Sequence, residues 1–274
     1  MLVGLTAFIQ ACRAEEAPTD SLVVTTGLVD SARAAVPSAI PAVPLFRSMP
    51  NRAFGVGENL VFDVAYKFVR AGTATMFIPD TQWVEGRPCY HILSTTETSS
   101  FFSTFYRVRD KVESIMDIDG LFSWRFEKHL REGKYWSDRV LVFDPAHNRV
   151  FYKRDTVSVP LYTQDILSAF YFVRTLPLEI GKSIDLDHCG DGKLYPLRVL
   201  VHGREKVDVP AGSFTCLVIE PVLKGEGLFQ QKGRLRIWVT DDERKLPVLM
   251  KSEILIGTID VRLKKIHSLA AGIR

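Results

Sequence analysis

Apolar side chains alternate with other residues from residue 58 onward, and this two-residue period constrains the fold more than any other feature of the chain. In the segment ENLVFDVAYKFVR, one side of the pattern carries only apolar or aromatic residues: Leu60, Phe62, Val64, Tyr66 and Phe68. Because successive side chains of a β-strand point to opposite faces, this period predicts a strand with one buried face.

Similar alternating runs recur as far as residue 266. Turn sequences such as DIDG at 117–120 and PAG at 210–212 separate them. With 274 residues, of which 46% are hydrophobic, the chain is long enough to bury a substantial core. We therefore predict a mostly β protein: a large curved antiparallel sheet or partly open barrel of about a dozen strands, wrapped around one main apolar helix.

The segment TQDILSAFYFVRTLP, at 163–177, is predicted to form that helix. Ile166, Phe170 and Val173 are separated by four and three residues, a spacing that places them on one face of a helix. Since most of the helix circumference is apolar, we expect the helix to be buried against the sheet. These three residues are therefore the candidates for contact with an apolar ligand, such as a lipid, on the concave side of the sheet.

The first 14 residues, MLVGLTAFIQACRA, predict an export signal or a lipoprotein signal. The apolar run over 2–11 has about half of the roughly 20 residues that a membrane-spanning helix needs, but it suits a signal peptide. Two modes of processing remain open: acylation of Cys12 after the lipobox-like sequence IQA, or cleavage near Ala14. A short buried N-terminal strand is the alternative interpretation. The expected location is periplasmic or outer-membrane-associated.

Composition divides the rest of the chain into three parts. Residues 15–57 are rich in Ala, Pro and Ser, which disfavours helix and sheet and predicts an extended tether. Residues 58–266 carry the strand patterns and are predicted to form a single β-rich domain, followed by a C-terminal tail over 267–274. A tether of this kind is expected of an envelope protein that works a short distance from its membrane.

The motifs of catalysis and cofactor binding are missing from the sequence. It has no G-x-S-x-G elbow, no H-E-x-x-H or C-x-x-C motif, no Gly-rich phosphate loop and no dinucleotide fingerprint. The segment DLDHCGDG at 185–192 departs from an EF-hand loop, because Cys189 and Pro196 occupy two ligand positions, and it predicts a turn. The six histidines show no ligand spacing. We therefore predict a protein that is not an enzyme and that holds no cofactor or metal.

The distribution of charge excludes one class of partner and suggests another. The net charge of +3 comes from 35 basic and 32 acidic residues that are interspersed, so nucleic acid is not expected as a partner. On the strand predicted over 105–117, Arg107, Arg109 and Lys111 share one side with Glu113. This basic row is either a solvated outer face or a surface for anionic lipid headgroups or an acidic partner.

The charged segment DDERK at 241–245 lies between two apolar alternations. A pair of catalytic acids needs one desolvated member so that the two pKa values separate, and an exposed turn does not provide this. The segment is therefore predicted to be a solvated turn between two strands.

This region also carries a family resemblance. The segments IWVTDDERKLPV at 237–248, IGTI at 256–259 and VPAGSF at 209–214 closely resemble the bacterial domain-of-unknown-function family numbered 3108, over 55–266. The resemblance implies secreted or periplasmic proteins, often lipoprotein-like, with no established reaction. A similarity of architecture to periplasmic lipoprotein carriers and outer-membrane lipoprotein acceptors is fold analogy and says little about mechanism.

Two functions of different classes are consistent with these patterns. The first is a non-enzymatic envelope protein that binds an apolar ligand, a lipid or a lipidated protein, on the concave side of its sheet. The second is a structural or assembly module with a filled core, which contacts envelope proteins through loops and sheet edges. The volume inside the sheet distinguishes them, because an empty apolar lumen favours the first and a packed one the second.

Overall fold

The computed structural model describes residues 47–67, 69–223, 234–254 and 257–268. The predicted signal over 1–14, including Cys12 and Ala14, lies outside the described residues, as does the tether before residue 47. Phe68 and residues 269–274 of the predicted tail also lie outside them.

The described residues form fifteen strands, two α-helices and one 3-10 helix. The strands are β1 (Asn59–Tyr66), β2 (Val69–Phe77), β3 (Thr81–Val84), β4 (Arg87–Thr98), β5 (Arg109–Asp117), β6 (Ser123–Glu132), β7 (Tyr135–Asp144), β8 (Arg149–Tyr152), β9 (Asp155–Ser158), β10 (Ser183–Gly190), β11 (Lys193–Val209), β12 (Gly212–Leu223), β13 (Leu235–Thr240), β14 (Pro247–Ile254) and β15 (Gly257–Ser268). The α-helices are α1 (Ser100–Ser103) and α2 (Ile166–Thr175), and the 3-10 helix covers Pro145–His147.

All fifteen strands belong to one sheet with antiparallel pairing. Its order is β10-β11-β12-β13-β14-β15-β1-β2-β4-β5-β6-β7-β8-β9, with β3 paired to β4. The prediction of a mostly β protein with a large antiparallel sheet is therefore confirmed. The sheet is not closed, since its edges β9 and β10 do not pair with each other in the part of the chain that is described.

Contacts between distant strands indicate how far the sheet curls. Asp191, in the turn between β10 and β11, makes ion pairs with Lys128 of β6 at 3.4 Å and Arg139 of β7 at 2.5 Å. Gly192 of the same turn lies against Tyr152 of β8, where an added Cβ would come within 2.5 Å of the ring. Twist accumulates between strands and curls a sheet of this length. The two ends of the strand order therefore approach each other.

The segment before α2 covers edge strand β10. The Gln164 N–H donates to the Asp187 carbonyl oxygen, and the Gln164 carbonyl oxygen accepts from the Cys189 N–H, both at 2.9 Å. Together these bonds form a short parallel bridge. The bridge pairs main-chain groups that an open sheet edge would leave exposed.

The alternation in the sequence sets the composition of the core. Along β1, Leu60, Phe62 and Val64 are buried, whereas Val61 and Asp63 between them are only partly buried. Inward side chains of most strands join those of α2 in one buried cluster. Since a fully buried large apolar side chain contributes about 1.5–3 kcal/mol, this shared cluster is the main source of stability.

Helix α2 is buried along almost its whole length, from Ile166 to Arg174. Its N-cap is Asp165, whose Oδ1 accepts the N–H groups of Leu167 and Ser168 at 2.7 and 2.8 Å. An N-cap of this kind satisfies donors that have no partner within the helix. Among the described residues, neither α1 nor α2 is long and apolar enough to cross a membrane.

The same Asp165 carboxylate fixes the start of α2 to the sheet. Its Oδ2 accepts the hydroxyl groups of Ser114 on β5 and Ser123 on β6, both at 2.6 Å. Burial raises the pKa of Asp165, and the four hydrogen bonds oppose that rise. The helix therefore begins at a position set by two strands.

Packed structure begins before residue 58. Phe54 is buried and makes edge-to-face contacts with Tyr90 and Tyr171, with ring centroids 5.3 and 4.8 Å apart. The Met49 N–H donates to the carbonyl oxygen of Asp119 at 2.8 Å. Residues 47–57, the end of the segment defined above by its Ala, Pro and Ser content, thus lie against the domain.

Two carboxyl side chains meet inside the sheet near the β6–β7 turn. Asp110 of β5 and Glu132 of β6 are each 4% exposed. Burial, together with the neighbouring Glu132 charge, raises the pKa of Asp110 to about 7, although the Arg131 N–H donates to Asp110 at 2.8 Å and opposes the rise. The folded protein therefore keeps a proton at pH values where the unfolded chain has released it.

Stability should consequently fall as the pH rises. A carboxyl group whose pKa is raised by folding stabilises the folded protein most below its unfolded-state pKa of 3.8. This stabilisation is lost as the pH rises to about 7. The substitution Asp110→Asn keeps an acceptor for the Arg131 N–H but removes the ionisation. In urea unfolding between about pH 4 and pH 8, the variant should show a flatter pH dependence and greater stability at the upper limit. Parallel pH curves for the two proteins would contradict the assignment.

Candidate functional site

The three ligand residues predicted on α2 lie inside the protein. Ile166, Phe170 and Val173 are all buried in the main cluster. Phe170 and Val173 line an apolar space of about 20 Å³, whose remaining walls are Ala169, Leu197, Val199, Ile219, Pro221 and Ile237. One water molecule needs about 10–15 Å³ on this measure, whereas ligand pockets have about 300–1,000 Å³. The space beside α2 therefore has no room for an acyl chain.

A buried ion pair holds the C-terminal end of α2. The Arg174 guanidinium donates to both carboxylate oxygens of Glu58, at 2.7 and 2.8 Å, and each side chain is 1% exposed. It also donates to the carbonyl oxygens of Ala53 at 3.1 Å and Arg244 at 3.2 Å. Burial lowers the pKa of Arg174, but the charge and hydrogen bonds of Glu58, together with Tyr171 and Asp242, outweigh this effect, so the net shift is upward. One side chain thus joins α2, the N-terminal segment and the charged turn.

The charged segment DDERK forms the turn between β13 and β14, and its three acids are exposed. Asp242 Oδ1 accepts the Thr240 hydroxyl at 2.7 Å and the N–H groups of Arg244 and Lys245, both at 3.0 Å. An Asp that accepts the N–H groups two and three residues ahead stabilises a turn. This arrangement is structural, because neither carboxylate of a catalytic pair is desolvated here.

The predicted basic row lies on the outer face beside β5. Arg107, Arg109 and Lys111 are all exposed, but Lys111 makes an ion pair with Glu113 at 2.5 Å. Glu97 lies opposite Arg109 in the β4–β5 register. Within the described ranges, no carboxylate comes within 4.0 Å of Arg107 or Arg109. Two of the three predicted cations are therefore available to an external anion.

A group of carboxylates and an imidazole adjoins the basic row. Glu113 of β5 lies directly opposite Glu127 of β6, and together with His129 they place ligand atoms within 4.8 Å of one another. Such a donor set suits a divalent cation. The carboxylates already engage Lys111 and Arg125, at 2.5 and 2.6 Å, so a metal ion would have to displace both. We therefore describe the group as a charge-compensated network and assign it no ligand.

A groove of about 710 Å³ also opens on the outer face. It lies between the β3–β4 hairpin and the connection from β7 to β8, and its residues are Gln82, Val84, Glu85, Arg87, Ile115, Trp124, Arg125, Val142, Phe143, Asp144, Ala146, His147 and Phe151. The Asp117 carboxylate accepts two bonds from Arg87, at 2.5 and 2.8 Å, and one from Trp124 at 3.2 Å. The apolar floor and the charged rim of this groove resemble the core and the rim of a protein–protein interface.

A second surface missed by the sequence analysis lies at the end of the sheet that carries the β1–β2, β4–β5 and β6–β7 connections. Four large apolar side chains are exposed at this end: Val69 at 56%, Phe101 at 67%, Phe105 at 76% and Trp136 at 72%. We call these four residues the aromatic end. Its sequence signal is the stretch SFFSTFYR at 100–107, which concentrates aromatic rings where no alternation buries them.

Three solved structures align with most of this chain at low sequence identity. A β-barrel-like protein of the domain of unknown function DUF1849 from Brucella abortus has a TM-score of 0.52 and 10% identity, covering 79% of this chain and 99% of that chain. A candidate exported protein with a YmcC-like fold from Bacteroides fragilis has a TM-score of 0.37 and 11% identity, with 81% and 100% covered. A candidate lipoprotein from Parabacteroides distasonis has a TM-score of 0.35 and 8% identity, with 81% and 97% covered. Only the first is similar enough to support an inference, which is limited to the barrel-like fold.

Comparison with functionally curated proteins gives no match. The family model for a protein of unknown function, DUF3108, matches residues 61–264. The match covers nearly all of the β-rich domain predicted over 58–266, and it confirms the resemblance carried by the β13–β14 turn and its flanking strands. The chain therefore belongs to the DUF3108 family of proteins of unknown function.

Proposed function

We propose that this chain is a non-enzymatic protein of the cell envelope, whose sheet wraps around α2 and which acts through its outer surface. The observation that carries this proposal is the small volume beside α2, about 20 Å³, compared with about 710 Å³ for the outer groove. The close packing beside α2 favours the structural or assembly module over a carrier of a lipid or a lipidated protein. Ile166, Phe170 and Val173 then stabilise the fold instead of binding a ligand.

The proposed location is the periplasm or the periplasmic face of the outer membrane. The apolar run over 2–11 and the Ala-, Pro- and Ser-rich segment that follows support export. Acylation of Cys12 and cleavage near Ala14 are both compatible with this location. In either case the outer surface of the domain would face other envelope components.

Lipid extraction followed by mass spectrometry tests the filled interior. Protein purified from its native envelope should release no non-covalent lipid in near-stoichiometric amount, because the space beside α2 is too small to hold one. A known fatty-acid-binding protein extracted in parallel would establish that bound lipid is recovered. Release of about one lipid per chain would overturn the proposal and restore the carrier function.

A further inference from the structure

We propose that the aromatic end docks on an anionic lipid surface. Phe101 and Phe105 would enter the interfacial region of the bilayer, while Arg107 and Arg109 would contact headgroup phosphates. This inference rests on the proposed function and deepens it, because it names the partner of one part of the outer surface.

Hydrogen bonds between neighbouring connections make the aromatic end one continuous surface. The Ser99 N–H donates to the Ala71 carbonyl oxygen at 2.9 Å, which places α1 beside the start of β2. The Gly133 N–H donates to the Arg107 carbonyl oxygen at 2.7 Å, which places the β6–β7 turn beside the segment after α1. Side chains on or directly beside three connections are therefore presented together.

The exposed rings of Phe101 and Phe105 are supported by packed neighbours. Phe101 makes edge-to-face contacts with Phe102 and Phe105, with ring centroids 5.4 and 5.6 Å apart. Phe102 in turn packs against buried Ala71 and Val108. The two exposed rings are thus held outward by neighbours that are themselves anchored. Exposed apolar groups that lie together mark interaction sites, and aromatic side chains are favoured at the bilayer interface.

Cations surround these rings. Arg107 and Arg109 have no carboxylate within 4.0 Å in the described part of the chain, and Lys134 in the β6–β7 turn is also exposed. The Arg131 guanidinium lies 5.2 Å from the centre of the Trp136 ring, but it is already paired with Asp138 at 2.7 Å and adds little free charge. Asp110 and Glu132 are buried and do little to offset the positive surface, and exposed Glu97, opposite Arg109, offsets only part of it because Arg107 and Lys134 are exposed as well. Charge complementarity therefore selects an anionic partner.

The arrangement favours a lipid surface over an acidic protein. The outer groove, which would suit a shaped protein segment, lies towards the opposite end of β5 and β6. At the aromatic end, the rings of Phe101 and Phe105 on the β4–β5 connection and of Trp136 on β7 project beside cations, which is the combination that enters lipid headgroups. A bilayer also needs no complementary shape to accept such rings.

The length of chain before the domain permits this orientation. Arg47 lies at the opposite end of the sheet, where its Nε donates to the Gly120 carbonyl oxygen at 2.7 Å. The residues between Cys12 and Arg47 can reach at most about 120 Å when fully extended. That reach exceeds the length of a strand several times over, so an anchor at Cys12 would still let the aromatic end face the same membrane.

Vesicle co-sedimentation tests the docking directly. The full chain carrying Cys12→Ser, produced without acylation, would be mixed with vesicles of equal parts phosphatidylglycerol and phosphatidylcholine, or of phosphatidylcholine alone. We expect binding to the anionic vesicles that weakens as salt is added, because salt screens exposed charges, and at least tenfold weaker binding to the neutral ones.

Two double variants should each reduce binding to the anionic vesicles at least tenfold: Phe101→Ser with Phe105→Ser, and Arg107→Glu with Arg109→Glu.

Trp136→Ala should also weaken binding to the anionic vesicles. Trp83→Ala is its matched control, since Trp83 is equally exposed at 72% but lies on β3 at the other end of the sheet. Lys206→Glu on β11 is the control for charge reversal, and both controls should stay within about twofold of the parent.

Absence of binding to the anionic vesicles, or binding that both double variants retain, would overturn the docking proposal. Loss of cellular function in those variants, when the parent protein binds no vesicles, would also overturn it and would favour an acidic protein as the partner of the aromatic end. None of these outcomes bears on the filled interior, which lipid extraction tests separately. Unchanged urea unfolding of each variant would establish that its fold is intact.

Discussion

Replacing Glu58 with glutamine should lower the free energy of unfolding by about 3–5 kcal/mol. Glu58 accepts both hydrogen bonds of the Arg174 guanidinium, and each side chain is 1% exposed. Glutamine has nearly the same shape, but it leaves the guanidinium charge buried without a counter-charge. The loss of stability therefore measures the cost of an unpaired buried charge more than the value of the original pair.

Chemical denaturation of purified variants would measure this loss. The matched control is Asp185→Asn, because Asp185 and Arg198 form an equally short two-bond pair, at 2.7 and 2.6 Å, that is largely exposed. Breaking that pair should cost less than about 1 kcal/mol. Combining Glu58→Leu with Arg174→Met should restore much of the stability, since it removes both buried charges. Equal losses in Glu58→Gln and Asp185→Asn would contradict the buried pair.

Sequence reasoning could not identify this pair. Arg174 stands in the last turn of a helix, where a cation is favoured by the helix dipole and is usually solvated. Glu58 stands before the first strand, 116 residues away, and no local pattern links the two positions. The contact exists because the curled sheet brings the start of β1 to the end of α2, which is a property of the complete fold.

The strands were predictable wherever one face is buried. The alternation along β1 gives Leu60, Phe62 and Val64 their burial, because a two-residue period matches the geometry of a strand. The predicted run over 105–117 instead begins as β5 at Arg109. Phe105 and Tyr106 continue the pattern of aromatic residues but lie on a connection, and hydropathy alone does not distinguish an exposed ring from a buried one.

Short or polar elements escaped prediction for a different reason. Strand β3 has four residues and strand β9 has four, which is too few to establish a period. The outer groove draws its walls from several such elements, among them β3 and the 3-10 helix Pro145–His147. Its residues therefore come together only when the sheet order is known.

Phe170→Ala should lower the free energy of unfolding by about 3–5 kcal/mol. Phe170 is buried, and it lines the space of about 20 Å³ together with residues of β11, β12 and β13. Truncation would remove most of its apolar contacts and leave a cavity that the surrounding strands cannot fully close. Phe101→Ala is the control with the same change of side chain. Because Phe101 is 67% exposed, its loss should stay within about 0.5 kcal/mol.

The same variant also distinguishes the two functions. If the interior is filled, the unmodified protein should not bind a fluorescent fatty acid saturably, and the main effect of Phe170→Ala should be on stability. If Phe170 instead lined a ligand pocket, its removal would change fatty-acid affinity while stability fell by much less. Since Phe170 is buried and the space that it lines with residues of β11, β12 and β13 measures only about 20 Å³, we expect the loss in stability. If Phe170→Ala changed the affinity for the fatty acid without changing the stability, the result would contradict a surface-acting module and support a lipid carrier.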